Sequence, residues 1–138
     1  MSQRRKSRII SFQALYMFEV AEYNLEKIIS LDWVTDEKDE TIINFSKVII
    51  NGTIEHLELV DSIIKKYSKN WKFNRIDVID KSILRVSIFS LLFLKEIPAA
   101  VTIDEAIEIT KIYGGNNSPV FINGVLDAVN KNEIKREG

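Results

Sequence analysis

RIDVIDKSILRVSIFSLLFL, the stretch from Arg75 to Leu94, decides the fold class of this chain. In its first half Ile76, Ile79, Ile83 and Val86 recur at steps of three and four, with Asp77, Asp80 and Lys81 between them. That is the period of a helix rather than the alternation of a strand. From Val86 to Leu94 the stretch is apolar almost all round, interrupted by Ser87 and Ser90. A helix apolar on every side has to be covered on every side. A bilayer would do so, but the continuous apolar run is too short to span one, and Arg85 sits inside the stretch. The reading is a central buried helix with other helices laid against it. Arg85 then either reaches the surface along its aliphatic stem or meets an acidic partner.

Composition points the same way. A chain of 138 residues, 46% of them hydrophobic, can bury one sizeable core. Two prolines and five glycines favour long helices over a many-turned β fold. There is no cysteine, so disulfide and thiolate chemistry are excluded. The basic N-terminus lacks the apolar core of a secretory signal, and no membrane span follows, so a cytoplasmic protein is expected. Net charge is near zero, but its distribution is uneven. Arg4, Arg5, Lys6 and Arg8 precede the first acid, Glu19, whereas Asp36, Glu37, Asp39 and Glu40 cluster later. This predicts a basic end and an acidic end.

The first helix is expected from about Arg4 to Glu22, with Ile9, Phe12 and Tyr16 on one stripe. Four cations at its start oppose the helix macrodipole. A local rule broken without local compensation suggests another use. The arm either binds phosphates or is simply solvated. A short helix is expected over Leu25 to Leu31, then a longer one capped by Thr35 or Asp36. Gly52 either ends that helix or marks a close helix approach. Helix continues to about Lys69, and 70–74 forms the joint between subdomains of about 1–72 and 73–138, pinned by Trp71 and Phe73. After Pro98, Thr102-Ile103-Asp104-Glu105 reads as a capping box. Tyr113-Gly114-Gly115 ends that helix with a left-handed glycine. Ser118-Pro119 reads as a cap plus first-position proline. Asn123-Gly124 reads as close helix packing, and the tail from Lys131 as frayed.

No catalytic constellation is found, and no cofactor or metal is implied. His56 has no second histidine or cysteine to make a metal site, so it reads as an ordinary helix residue. Asp77 and Asp80 lie one turn apart, but nothing completes a paired-carboxylate site, and they read as a solvated acidic face.

Taken in order, these segments resemble the NusB family of bacterial transcription antitermination factors. The matching pieces begin with Arg4-Arg5-Lys6-Ser7-Arg8 and Gln13-Ala14-Leu15-Tyr16, then Asp80-Lys81-Ser82-Ile83-Leu84-Arg85. After Ile97-Pro98 come Val101-Thr102-Ile103-Asp104-Glu105-Ala106-Ile107-Glu108 and Tyr113-Gly114. The most specific piece is Ser118-Pro119-Val120-Phe121-Ile122-Asn123-Gly124-Val125-Leu126-Asp127. The segment 22–72 matches mainly in length and helical character.

The resemblance implies an all-α fold of two small helical bundles packed together, without enzymatic activity. It implies binding of boxA-type single-stranded RNA from ribosomal RNA leaders together with NusE, a ribosomal protein, and joining of the elongating RNA polymerase. Some relatives dimerise, so a homodimer is a second state it allows. Single-stranded RNA needs cations for phosphates and planar groups for unstacked bases. Arg4, Arg5, Lys6 and Arg8 supply cations, and Gln13 and Tyr16 lie within two turns of Arg8. The family's second RNA-contacting region is matched by Asn116, Asn117 and Ser118, with Phe121 beyond. Val120 stands where some relatives carry a basic residue, which weakens a phosphate contact there. NusE contact is carried over to Asp80. Arg85 matches a family arginine assigned to the RNA-proximal surface, with an internal salt bridge as the other reading. Rival readings are an RNA-binding fragment of a ribosomal RNA cytosine methyltransferase and a helical adaptor that binds only protein. Ile79, Ile83, Val86, Phe89, Leu92, Ile107, Phe121 and Val125 are expected in the core.

Overall fold

Residues 1–21, 24–69 and 71–134 are described by the structure, a computed structural model. Among them there are seven α-helices and no strand: α1 Gln3–Val20, α2 Leu25–Ser30, α3 Glu40–Glu55, α4 Leu57–Tyr67, α5 Val78–Phe93, α6 Ala99–Tyr113 and α7 Ser118–Glu133. A single 3-10 turn, Phe73–Arg75, leads into α5. The fold is all-α, as the helical spacing predicts, and among the described residues no helix is long and apolar enough to cross a membrane.

Helix α5 is the axis. Asp77 caps it, its carboxylate accepting from the Ile79 and Asp80 N–H groups. Every residue from Asp80 to Leu91 is buried. Helices α1, α3, α4, α6 and α7 all pack on it, giving a core that includes Leu15, Ile49, Val60, Ile83, Ile103 and Leu126. A second cluster, among Ile10, Ala14, Ile28, Leu31, Ile42 and Ile50, joins α1, α2 and α3. Of the expected core, Ile83, Val86, Phe89 and Val125 are buried, while Ile79, Leu92, Ile107 and Phe121 are partly buried against it.

Two pairs of rungs set the helix directions around α1. Ser7 Oγ donates to the Ile42 carbonyl at 2.9 Å, and Ser11 Oγ lies 3.4 Å from the Ser46 carbonyl. Moving four residues along α1 moves four along α3, so these helices run parallel. Arg5 meets Glu105, and Phe12 meets Tyr113 with ring centroids 5.1 Å apart, so α1 and α6 also run parallel.

Several local expectations change. Helix α3 is capped by Asp39, not Thr35 or Asp36, because the Asp39 carboxylate accepts from Thr41 N at 2.8 Å. It does not end at Gly52; a Cβ there would overlap the Phe89 ring, so Gly52 marks a close helix approach. Helix α6 starts just after Pro98, so Thr102 is a buried interior residue and its Glu105 partner is used elsewhere. Gly114 closes α6 in an extended conformation, φ −91°, not a left-handed one. Glycine is needed there for space, since a Cβ would lie 2.8 Å from the Ser118 side chain. The α7 cap is Asn117 rather than Ser118, with the Ser118 hydroxyl drawn to other partners. Gly124 faces open space, so Asn123-Gly124 is not a packing contact. The predicted end of α1 at Glu22, the first joint residue Asn70 and the last tail residues lie outside the described residues.

Candidate nucleic-acid interface

Ser2 caps α1, its Oγ accepting from Arg5 N at 3.1 Å. The cations that follow are mostly engaged within the molecule. Arg4 lies 3.8 Å over the Phe45 ring. Arg5 Nε donates to Glu105 Oε2 at 2.6 Å, and its Nη2 to Oε1 at 3.3 Å. Lys6 Nζ sits 3.9 Å from Glu37, and Gln3 donates to Asp39 at 2.8 Å. The acidic cluster therefore adjoins the basic one instead of forming an opposite end. The parallel packing of α1 and α3 brings both helix starts together, and the acids supply the compensation missing from α1 itself.

Arg8 differs. It is 9% exposed and makes no hydrogen bond or ion pair among the described residues. Burial draws its pKa down; Glu105 opposes this, and Arg4 and Arg5 add to it. Glu105 attracts Arg8 but is bonded to Arg5, so Arg8 is a desolvated cation with no hydrogen-bonded anion of its own, and an anion there would be stabilising. Gln13 is half-buried on the same helix, with Lys6, Glu37 and Tyr113 along one groove. Tyr16 is 38% exposed, available for stacking.

Because α1 and α6 run parallel, the arm leads from Glu105 towards Tyr113, about 12 Å along α6 at helical rise. Gly114 to Ser118 follows directly. Ser118 Oγ donates to Asp80 Oδ2 at 3.0 Å and accepts from Gly115 N at 2.9 Å. This relay ties the loop to the start of α5 and leaves Asn116 and Asn117 exposed. Beyond it Phe121 meets Trp71 edge-on at 6.3 Å. Trp71 is 57% exposed, so it does not pin the joint as predicted. Together with Arg75 and Asp80 these side chains line an open notch of about 350 Å³. Sequence reasoning singled out Asn116, Asn117, Ser118 and Phe121 but missed Trp71 and Arg75 as their neighbours. The signal available was an aromatic flanked by lysine and asparagine in a polar joint.

Two carried-over residues are not surface groups. Asp80 is 7% exposed, so it is not part of a solvated acidic face. Its pairing with Ser118 across 38 positions has no sequence periodicity to reveal it. Arg85 is 4% exposed and grips Asp61 through Nε and Nη2 at 2.8 and 2.9 Å. Its Nη1 lies 3.2 Å from Glu19, near enough for attraction but misaligned for a hydrogen bond. The structure therefore shows the internal salt bridge, the other reading of Arg85. Lys81 joins the same network, 3.3 Å from Glu19 and 4.3 Å above the Phe73 ring.

Burial pushes the Asp80 carboxyl above its ordinary value; the Ser118 hydrogen bond opposes this and Asp77 adds to it. The folded state thus binds this proton more tightly than the unfolded chain. The stabilisation is present below the ordinary aspartate value and is lost as pH rises through the raised folded value. Asp80→Asn keeps an oxygen for Ser118. It is expected to be at least as stable as wild type at neutral pH and to lack this dependence. Denaturant titrations from acid to neutral pH on both proteins check it; identical pH profiles would reject the assignment.

Known proteins match nearly the whole chain. The family model described as NusB family matches residues 5–131. The transcription antitermination protein NusB of Syntrophus aciditrophicus is 43% identical, over 94% of this chain and 80% of that protein. Its counterpart in Thermodesulfovibrio yellowstonii is 41% identical, over 96% of this chain and 94% of that one. The T. maritima NusB structure has a TM-score of 0.85 at 41% identity, covering 94% of this chain and 91% of its own. A structure of antitermination factors NusB and NusE in complex with double-stranded RNA shares the fold, with a TM-score of 0.84 at 24% identity over 95% and 98% of the two chains.

Proposed function

The chain belongs to the NusB family, and on that premise we propose that it binds boxA-type single-stranded RNA together with NusE and joins the elongating RNA polymerase. The observation that carries the RNA reading is Arg8, a buried arginine that makes no hydrogen bond or close ion pair among the described residues, beside an arm whose other cations are already held. A phosphate at Arg8 supplies the missing anion. Arg5 can join it by exchanging Glu105, and Arg4 and Lys6 are exposed enough to follow the strand. The Asn116-Asn117 loop and Phe121 then meet bases with donors, acceptors and a ring face. NusE is taken to dock beside the start of α5. Asp80 serves that contact through Ser118, by holding the loop in place.

Phosphate contacts position a strand, whereas base contacts read it. The two groups should fail differently. Arg5→Ala with Arg8→Ala is expected to weaken boxA and unrelated RNA by similar factors. It should flatten the slope of log affinity against log salt by about 0.7 for each phosphate no longer neutralised. Asn117→Ala should hurt boxA more than the control, with the slope unchanged. Binding series over salt on both RNAs decide the matter; equal slopes for wild type and the double arginine variant would remove the arm from the site.

A further inference from the structure

We propose that the notch between Trp71 and Phe121 receives one unstacked guanine base of the bound RNA, with Asp80 as the acceptor at its floor. This rests on the reading of the chain as a single-stranded RNA binder and adds a base identity to it.

Three observations converge there. First, Trp71 is the most exposed aromatic side chain of the notch, 57% accessible, although its ring has a neighbour in Phe121 at 6.3 Å and 70°. A T-shaped contact covers at most one face of the Trp71 ring, the side chain stays mostly exposed, and a nucleobase is the planar group of RNA that can stack on it. Second, Asp80 lines the same notch, and its Oδ1 accepts no hydrogen bond while Oδ2 is held by Ser118. A buried acceptor left unpaired is an exception that calls for a partner. An ionised carboxylate accepts only, so that partner must be a donor. Third, Arg75 borders the notch and is exposed. A base drawn into the notch brings its own phosphate to the rim, where a cation suits it.

The choice of guanine follows from the acceptor. The Watson–Crick edge of guanine carries two adjacent donors, the ring N1–H and the exocyclic amine. Adenine and cytosine present one donor beside an acceptor, and that acceptor would face the carboxylate repulsively. Uracil offers a single N–H flanked by two carbonyls. The Ser118 hydroxyl, itself held by the Gly115 N–H, fixes the carboxylate through Oδ2, so its orientation does not depend on the ligand. Asn116 and Asn117, on the same rim, can meet the remaining edge.

The test uses the full chain and short labelled single strands holding one guanine, with the same strand carrying inosine or adenine there. Fluorescence anisotropy gives affinity, and tryptophan quenching reports stacking. Wild type is expected to prefer guanine, and inosine, which lacks the exocyclic amine, to bind about tenfold more weakly. Trp71→Ala, a change at an exposed side chain, should lower guanine-strand affinity about tenfold, abolish most quenching and leave the salt slope unchanged. Asp80→Asn should erase the guanine preference while still binding RNA. The inosine comparison needs no variant, so the proposal stays testable if either substitution unfolds the protein. A wild type that binds strands but ignores guanine against inosine and adenine overturns the notch alone. Loss of NusE binding by Trp71→Ala with RNA affinity intact overturns it in favour of a protein contact. Failure of wild type to bind any strand overturns the RNA reading and the notch together.

Discussion

Phe89→Ala is expected to lower stability by about 3–5 kcal/mol, and Gly52→Ala is expected to be harmful only while the Phe89 ring is present. Phe89 is 5% exposed and projects from α5 onto α3, where its ring occupies the volume a Cβ on Gly52 would need. It is also held laterally, 5.3 Å from the Phe93 ring and 6.2 Å from His56, so it has little freedom to retreat. Overpacking of this kind costs about 1–3 kcal/mol. Once the ring is gone, the same alanine enters the interior of α3 with space around it, and there alanine is favoured over glycine by about 1 kcal/mol. The sign of Gly52→Ala should therefore reverse between the two backgrounds. Denaturant unfolding of the four proteins of the double-mutant cycle measures this. Additive effects would mean that α3 and α5 do not meet at this point.

Asp61→Ala is expected to cost about 3 kcal/mol, the lower end of what breaking a buried pair exacts. Arg85 is 4% exposed, and both of its hydrogen bonds go to Asp61. Glu19 remains 3.2 Å from Nη1 and offsets part of the loss, which argues against a larger figure. Asp61→Leu combined with Arg85→Met removes both charges and should lie much closer to wild type than either change alone, because no charge is left stranded. Thermal and denaturant unfolding of Asp61→Ala, the double variant and its two single changes decides it. A single Asp61 variant as stable as wild type would show that the pair is not closed in solution. RNA affinity of the folded double variant is expected to match wild type, since Arg85 is internal.

The helices are readable from spacing. The central helix, its burial, the short α2 and the helix after Pro98 all follow from apolar residues at three- and four-residue steps, which is local information. Caps are less readable. Asp39, Asp77 and Asn117 cap where sequence alone offers several candidates a few residues apart, and the choice depends on where packing starts each helix. Gly114 is legible as a helix end but not for its true reason, because the crowding that requires it comes from Ser118 on the next helix.

For the site, the arm and the loop are both visible as residue types out of place: cations at a helix start and asparagines before a proline. What each charged group faces is not. Arg5 with Glu105, Asp80 with Ser118 and Arg85 with Asp61 are paired across 100, 38 and 24 positions. No periodicity links such partners, and many acids in the chain could have filled each role. Helix formation and amphipathicity depend on neighbours within a turn or two, so they belong to the primary structure. Which cation is neutralised, which carboxylate is buried and which aromatic is left bare depend on how whole helices cross. The packing of α1, α6 and α7 around α5 decided that Arg8, unlike Arg5 and Arg85, is buried without a hydrogen bond or ion pair among the described residues.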